Sequence, residues 1–234
     1  MSKYKILAIT LARAGSKGVK NKNIRKILGK PLIYYTIKEA LKSKLISDYI
    51  ISTDSKNISN ISKKFGAKVP FLRPKKLSSD NASSVSALQH SVLWMERKNN
   101  TKYDFIIELM CTNPLKKQSD IDSLIKKLIK TKADSVIAVN KLEDHHPQRI
   151  KKIVNDKIVD FCIKEKNESR RQDLKPLAYI RSGSIYGMKR DFLIKKKRRY
   201  GGKNSRPYIL DSKRAINIDN EYDFLVAKEI LKNG

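Results

Sequence analysis

The densest cluster of groups able to do chemistry is the stretch Ala12-Arg-Ala-Gly-Ser-Lys-Gly-Val-Lys-Asn-Lys-Asn23. Arg13, Lys17 and Lys22 supply full positive charges. Gly15 and Gly18 let the backbone come close to a ligand and turn N–H groups toward phosphate oxygens. The glycine spacing fits neither the Gly-x-x-x-x-Gly-Lys-Ser/Thr phosphate loop nor the Gly-x-Gly-x-x-Gly dinucleotide pattern. The chemistry it suits is the holding of a polyanion such as a triphosphate. A solvated basic loop is the alternative; the position after the first strand, the glycines and the cations together favour the triphosphate.

That position is set by the elements around it. Ile6 to Leu11 is an unbroken apolar run and reads as a buried strand, so the loop leaves the strand's carboxyl end, where open α/β sheets bind ligands. Pro31 opens a helix to about Lys44, with Leu32, Tyr35, Ile37 and Leu41 on its apolar side. Tyr49–Ser52 reads as a strand, followed by a short helix to about Phe65. Ala82 to Arg97 carries Val85, Leu88, Val92 and Met95 at helical spacing. Phe105–Leu109, Ser135–Val139 and Ser184–Met188 read as strands, with helices over 119–130 and 219–232. Asp80 and Ser83 are candidate helix caps. The alternation predicts an α/β fold, a mostly parallel sheet with helices on both faces. The charged, proline-punctuated segment at about 144–180 breaks the rhythm and reads as an inserted arm, so residues 1–234 form one domain with an excursion.

Composition narrows the classes. The 234 residues are 40% hydrophobic, enough for a core. No run approaches the roughly 18–20 apolar residues of a membrane helix. Lys3 and Lys5 ahead of Ile6–Leu11 imitate a signal peptide, but the run is short and Arg13 and Lys17 follow, so a cytoplasmic chain without membrane partners is expected. Cys111 and Cys162 make no disulfide framework or zinc pair. His145 and His146 are adjacent, which suits a surface or interface better than a metal. The net charge of +29, from 52 Lys+Arg against 23 Asp+Glu, raises nucleic-acid binding. The lysines are spread along the chain and no helix-turn-helix, zinc-finger or aromatic RNA-reading motif accompanies them, so a nucleic-acid partner is not expected.

The loop resembles the Arg-x-x-Ser-Lys-Gly-x-x-x-Lys-Asn signature of CMP-acylneuraminate synthetases. Other stretches are similar in order: Ser52-Thr53-Asp54; Leu72-Arg73-Pro74; Leu77-Ser-Ser-Asp80-Asn-Ala-Ser-Ser84; Thr112-Asn113-Pro114-Leu115-Lys116; His145-His146-Pro147; Ser182-Gly183-Ser184-Ile185-Tyr186; and Ile216-Asn217-Ile218-Asp219 through Phe224. The matches span almost the whole chain.

The resemblance implies a Rossmann-like cytidylyltransferase, in which the anomeric hydroxyl of an acidic nine-carbon sugar attacks the α-phosphorus of CTP. It implies that Arg13, Ser16, Lys17 and Lys22 hold the triphosphate, and that Asn23, Arg73, Asp80, Ala82 and Ser84 belong to the nucleotide site. It places Met110, Thr112, Arg181, Ser182 and Tyr186 on the sugar. Asp219 is the implied Mg²⁺ ligand, assisted from position 217, and catalysis is expected of Arg13, Lys17, Lys22 and Asp219. Asp219 as the cap of the last helix is the bland alternative, and Asp223 reads as structural. The arm resembles a dimerisation arm carrying His146, Arg170, Arg171 and Gln172, so a homodimer is expected.

Three positions depart from the pattern. Asn217 stands where an aspartate is usual and carries no charge. Met110 replaces a glutamine and cannot hydrogen-bond as one. Arg181 sits one position closer to the glycine than usual, yet remains suited to a carboxylate. These point to a sugar less polar than N-acetylneuraminate, such as legionaminic acid. The rival readings are a CMP-Kdo synthetase or other sugar nucleotidyltransferase, an inactive scaffold, and a basic nucleic-acid-binding protein without CTP turnover.

Overall fold

The computed structural model describes residues 4–15, 18–142, 145–165 and 170–233. Among the described residues, ten strands and six helices run in the order β1 (Ile6–Leu11), β2 (Lys26–Ile27), β3 (Lys30–Pro31), α1 (Leu32–Lys42), β4 (Asp48–Ser52), α2 (Lys56–Lys64), α3 (Ser84–Asn99), β5 (Phe105–Leu109) and α4 (Gln118–Thr131). They continue with β6 (Ser135–Lys141), β7 (Lys151–Val154), β8 (Lys157–Asp160), β9 (Tyr179–Lys189), α5 (Arg190–Ile194), β10 (Ser205–Ile209) and α6 (Glu221–Asn233). Six strands form the main sheet in the order β10-β6-β9-β5-β1-β4. Only β9, between β5 and β6, runs antiparallel to its neighbours.

The central strands are apolar on both faces because helices cover both. Ile6, Ala8, Ile107 and Leu109 point toward α1, α2 and α4, packing with Ile33, Ile37, Ile58, Ile121 and Leu124. Leu7, Ile9 and Ile106 point the other way, onto Leu88, Val92 and Met95 of α3 and Leu193 of α5. Each such buried side chain contributes roughly 1.5–3 kcal/mol. A third cluster joins Phe224 and Ala227 of α6 to Val19, Ile27, Leu32 and Ile218, so the last helix is held against the segment that follows β1.

Several boundaries differ from those read in the sequence. α1 starts after Pro31, where Leu32 N closes onto Arg25 O at 2.9 Å, and stops at Lys42, where Ser43 turns extended and its N–H closes onto Ala40 O at 3.2 Å. α3 is displaced to 84–99 because Ser83, not Asp80, caps it, its hydroxyl accepting from Ser86 N at 3.1 Å. α6 begins at Glu221. Its cap is a reciprocal pair in which Asn220 Oδ1 accepts from Asp223 N and Asp223 Oδ2 accepts from Asn220 N, at 2.9 and 3.1 Å. Asp219 is therefore not the cap, and Asp223 is structural.

The sequence reading missed α5, the short β2–β3 pair, the β7–β8 hairpin and β10, an edge strand whose Pro207 breaks its apolar pattern. The arm contains its own β7–β8 hairpin, turned by Asn155 and Asp156 in the left-handed region (φ 49° and 60°). Its expected far boundary of about 180 moves back, because Tyr179 and Ile180 already pair with Lys141 and Asn140 in the main sheet. No helix among the described residues is long and apolar enough to cross a membrane.

Candidate active site

The carboxyl ends of β1, β4 and β5 and the start of β9 meet at one edge of the sheet. A cleft of about 300 Å³ opens there, lined by Arg13, Asn23, Arg73, Asp80, Ala82, Ser84, Glu108, Met110 and Thr112 among others. Most residues expected from the sequence for the nucleotide thus converge. Ser16 and Lys17 lie outside the described residues.

The cationic wall is built by cross-links between distant segments. Arg13 Nη1 is 2.8 Å from Asp80 Oδ1, so Asp80 orients the loop arginine rather than capping a helix. Ala14 N donates to Asp54 Oδ1 at 3.0 Å, fastening the same loop to the end of β4. Asn23 is buried and donates from Nδ2 to Arg13 O at 3.0 Å, a positioning bond. Arg73 is buried too, with Nε on Ser78 Oγ at 3.0 Å. Burial lowers its affinity for a proton, Asp54 opposes this, and the nearby Arg13 adds to it. Two guanidinium groups disfavour each other in this cleft, a cost that a bound polyanion would relieve. The amino end of the 16-residue α3 adds its N–H groups at Ser84.

Lys22 and Asp219 meet at the next boundary. Lys22 Nζ donates to Ile218 O at 2.6 Å and to Asp219 Oδ1 at 3.3 Å. Asn217 Nδ2 donates to Asp219 Oδ2, while its Oδ1 is buried without a hydrogen-bond partner. That oxygen faces Gly183, whose φ of +61° and lack of a Cβ permit the approach; a Cβ there would lie 2.9 Å from Asn217 Oδ1.

The segment after β5 is pinned by Lys116. This side chain is fully buried, and its Nζ donates to Thr36 Oγ1 at 2.8 Å, to Met110 O at 2.7 Å and to Asn113 O. Asn113 Nδ2 in turn donates to Arg214 O at 2.8 Å, and Ile218 N to Thr112 O at 2.8 Å. Met110, Thr112 and the Asn217–Asp219 segment are therefore tied together through this hydrogen-bonded strip. Burial pushes the neighbouring Cys111 thiol up to about 12 against Lys116 and Lys22, so it is no nucleophile at neutral pH.

The expected sugar residues divide. Met110 and Thr112 line the cleft. Ser182 turns away, its buried hydroxyl donating to Ala138 O at 3.1 Å. Tyr186 is buried beneath Arg199, whose guanidinium carbon lies 4.4 Å from the ring centre. Arg181 packs over Tyr200 at 4.6 Å. In a regular strand Arg181 and Tyr186, five apart, would face opposite ways. Tyr186 pairs with Ile137 and Arg181 with Val139, so β9 spends five residues where β6 spends two, and this irregularity brings both to Tyr200. His146 is also corrected: it is buried within the arm, its Nε2 2.8 Å from Pro176 O, and is not a surface group. Arg170 stays exposed and pairs with Asp173 at 2.8 Å.

Glu108, Arg199 and Tyr200 are not singled out by the sequence reading. The available signal is an acid inside the apolar strand Phe-Ile-Ile-Glu-Leu.

A family described as cytidylyltransferase matches residues 7–205. The chain is 34% identical over 226 residues to a CMP-N,N'-diacetyllegionaminic acid synthase of Campylobacter jejuni, covering 97% of this chain and 94% of that one. It is 32% identical over 235 residues to a pseudaminic acid cytidylyltransferase of the same species, covering 97% of each. A solved CMP:2-keto-3-deoxy-manno-octonic acid synthetase complexed with CTP shares the fold, with a TM-score of 0.72 at 17% identity over 98% of this chain and 99% of that one. The match over most of the chain, on a sheet whose carboxyl edge carries the cationic cleft, establishes that the chain belongs to the cytidylyltransferase family.

Proposed function

We propose that this chain transfers a cytidylyl group from CTP to an acidic nine-carbon sugar, releasing pyrophosphate and forming a CMP-sugar. The observation that carries the reading is the meeting of Arg13, Arg73 and the α3 amino end at one cleft that is also lined by Met110 and Thr112. In the reaction the anomeric oxygen bonds to the α-phosphorus, the bond to the pyrophosphate oxygen breaks and the hydroxyl proton is lost. Negative charge grows on the departing pyrophosphate, so prepositioned cations and N–H donors are the main source of acceleration. Lys17, Lys22 and Arg13, which Asp80 orients, supply that charge from this chain, and Ser16 offers a hydroxyl donor. Asn23 and Arg73 hold the nucleotide side of the wall.

Mg²⁺ fits the donor set as a partner of substrate phosphates. No group of three or more His, Cys, Asp or Glu able to hold a metal occurs among the described residues. Mg²⁺ commonly uses one or two carboxylates plus phosphate oxygens. Asp219 would supply the carboxylate, and the unpartnered Asn217 Oδ1 would add an amide oxygen once that side chain turns. The ion would neutralise charge building on the phosphates.

Met110 supports a sugar less polar than N-acetylneuraminate, and the relatives named for legionaminic and pseudaminic acids support the same class. The hairpin leaves Ile153, Ile158 and Phe161 exposed, which supports a homodimer closed by residues 144–180. Dependence on CTP supports action in the cytoplasm.

The test is Mg²⁺-dependent pyrophosphate release from CTP across N-acetylneuraminate, N,N'-diacetyllegionaminate, pseudaminate and the eight-carbon acid Kdo. Turnover of a diamino nine-carbon acid is expected. No release with any sugar overturns the function, and strong preference for N-acetylneuraminate overturns the proposed substrate class.

A further inference from the structure

Glu108 is almost fully buried, yet it lies on the lining of the cleft. Its Oε2 accepts from Arg199 Nη1 at 2.7 Å. The Arg199 guanidinium lies 4.4 Å from the Tyr186 ring and 5.8 Å from the Tyr200 ring. Tyr200 has the Arg181 guanidinium 4.6 Å from its ring as well, so Arg199 sits beside the arginine expected at the sugar's carboxylate. A buried ion pair is weak evidence for stability, since apolar residues of similar volume often do as well. Its placement at the cleft calls for another reason.

Arg181 and Arg199 differ in whether a carboxylate already partners them. Arg181 is in ion-pair contact with no carboxylate among the described residues and keeps its full charge for the sugar's carboxylate. The charge of Arg199 is balanced by Glu108, but a guanidinium has five N–H groups and the single bond to Glu108 leaves others to donate. A guanidinium already ion-paired in this way suits a neutral acceptor, the carbonyl oxygen of an amide. We propose that Arg199 is a specificity-determining residue that reads an N-acyl carbonyl on the acceptor sugar, with Glu108 as the positioning residue that aims it. This rests on the cytidylyltransfer to an acidic sugar proposed above.

The experiment compares wild type, Arg199→Met, Arg199→Lys, Glu108→Gln and the double variant Glu108→Gln/Arg199→Met. Each is assayed for KM and kcat with CTP, and with N,N'-diacetyllegionaminate and its de-N-acetylated form. Arg199→Met is expected to lower kcat/KM for the acetylated sugar about 10- to 100-fold, the range for a lost hydrogen bond from a charged donor. KM for CTP, which also reports an intact fold, should stay within about twofold, and Arg199→Lys should recover part of the loss. Glu108→Gln should cost less than Arg199→Met and add nothing to it, because Glu108 acts through Arg199. Equal losses with both sugars, a matching rise in KM for CTP, or additive effects in the double variant would each overturn the proposal. A wild type inactive with every acidic sugar removes the underlying function and this inference together. An active wild type with an unaffected Arg199→Met variant removes only the inference.

Discussion

A Cβ on Gly18 would lie 2.0 Å from the carbonyl oxygen of Asp219. The loop after β1 and the segment before α6, two hundred residues apart in sequence, are therefore in direct backbone contact at the candidate metal-side residue. Gly18→Ala must push them apart, and misplacement by about 1 Å near the chemistry is worth on the order of 10²-fold in rate. We expect kcat to fall by that order and the thermal midpoint to drop by several degrees, since overpacking here costs about 1–3 kcal/mol, measured by pyrophosphate release and calorimetry. Full activity in the alanine variant would show that this contact is not needed.

Asn217 supplies an amide where a second carboxylate would attract a cation. Asn217→Asp should lower the Mg²⁺ concentration for half-maximal activity several-fold, because two adjacent carboxylates favour a divalent ion. Asp219→Asn should raise it or abolish turnover. Calorimetric titration with Mn²⁺ in the presence of CTP provides a readout independent of turnover.

Lys116 carries a pH signature. Burial pushes its ammonium down to about 7, against the opposing pull of Cys111, Asp120 and Glu39. The unfolded chain holds this proton up to about pH 10, so between about 7 and 10 the unfolded state binds more protons and stability rises with pH. Below about 7 this contribution is flat at its least favourable level. Lys116→Met should remove the rise, so urea midpoints of the two proteins diverge as pH increases. It also leaves Met110 O, Asn113 O and Thr36 Oγ1 without this donor, costing on the order of 2 kcal/mol. Parallel curves would exclude the titration.

The hairpin pairs Ile153 with Ile158, which are 77% and 76% exposed. Ile153→Asp with Ile158→Asp should convert a dimer to a monomer in size-exclusion chromatography with light scattering. The thermal midpoint of the main sheet should change little, because both residues lie outside it. A monomeric wild type would refute the dimer.

Arg13 draws its orientation from Asp80. Arg13→Ala should cost about 10²- to 10³-fold in kcat, the scale of a lost transition-state donor. Asp80→Asn, which keeps a hydrogen-bond acceptor, should cost much less. Steady-state kinetics at saturating CTP separate the two, and equal losses would give Asp80 a role beyond orienting Arg13.

The sequence by itself determined the alternation of strands and helices and the place of the cationic loop. These follow from local periodicity, and every strand expected in the main sheet is present. It did not reveal β10, whose Pro207 and basic neighbours obscure an edge strand, nor the cap of α3, where Asp80 and Ser83 compete and only the partner Arg13 decides.

The grouping of Arg181 with Tyr186 was decided by tertiary structure. Alternation along a strand places Arg181 and Tyr186 on opposite faces, and only the irregular pairing of β9 with β6 at the left-handed Gly183 gathers them around Tyr200. The Glu108–Arg199 pair joins residues 91 positions apart. No local pattern encodes such a contact, because it depends on how the segment after α5 folds back over the sheet.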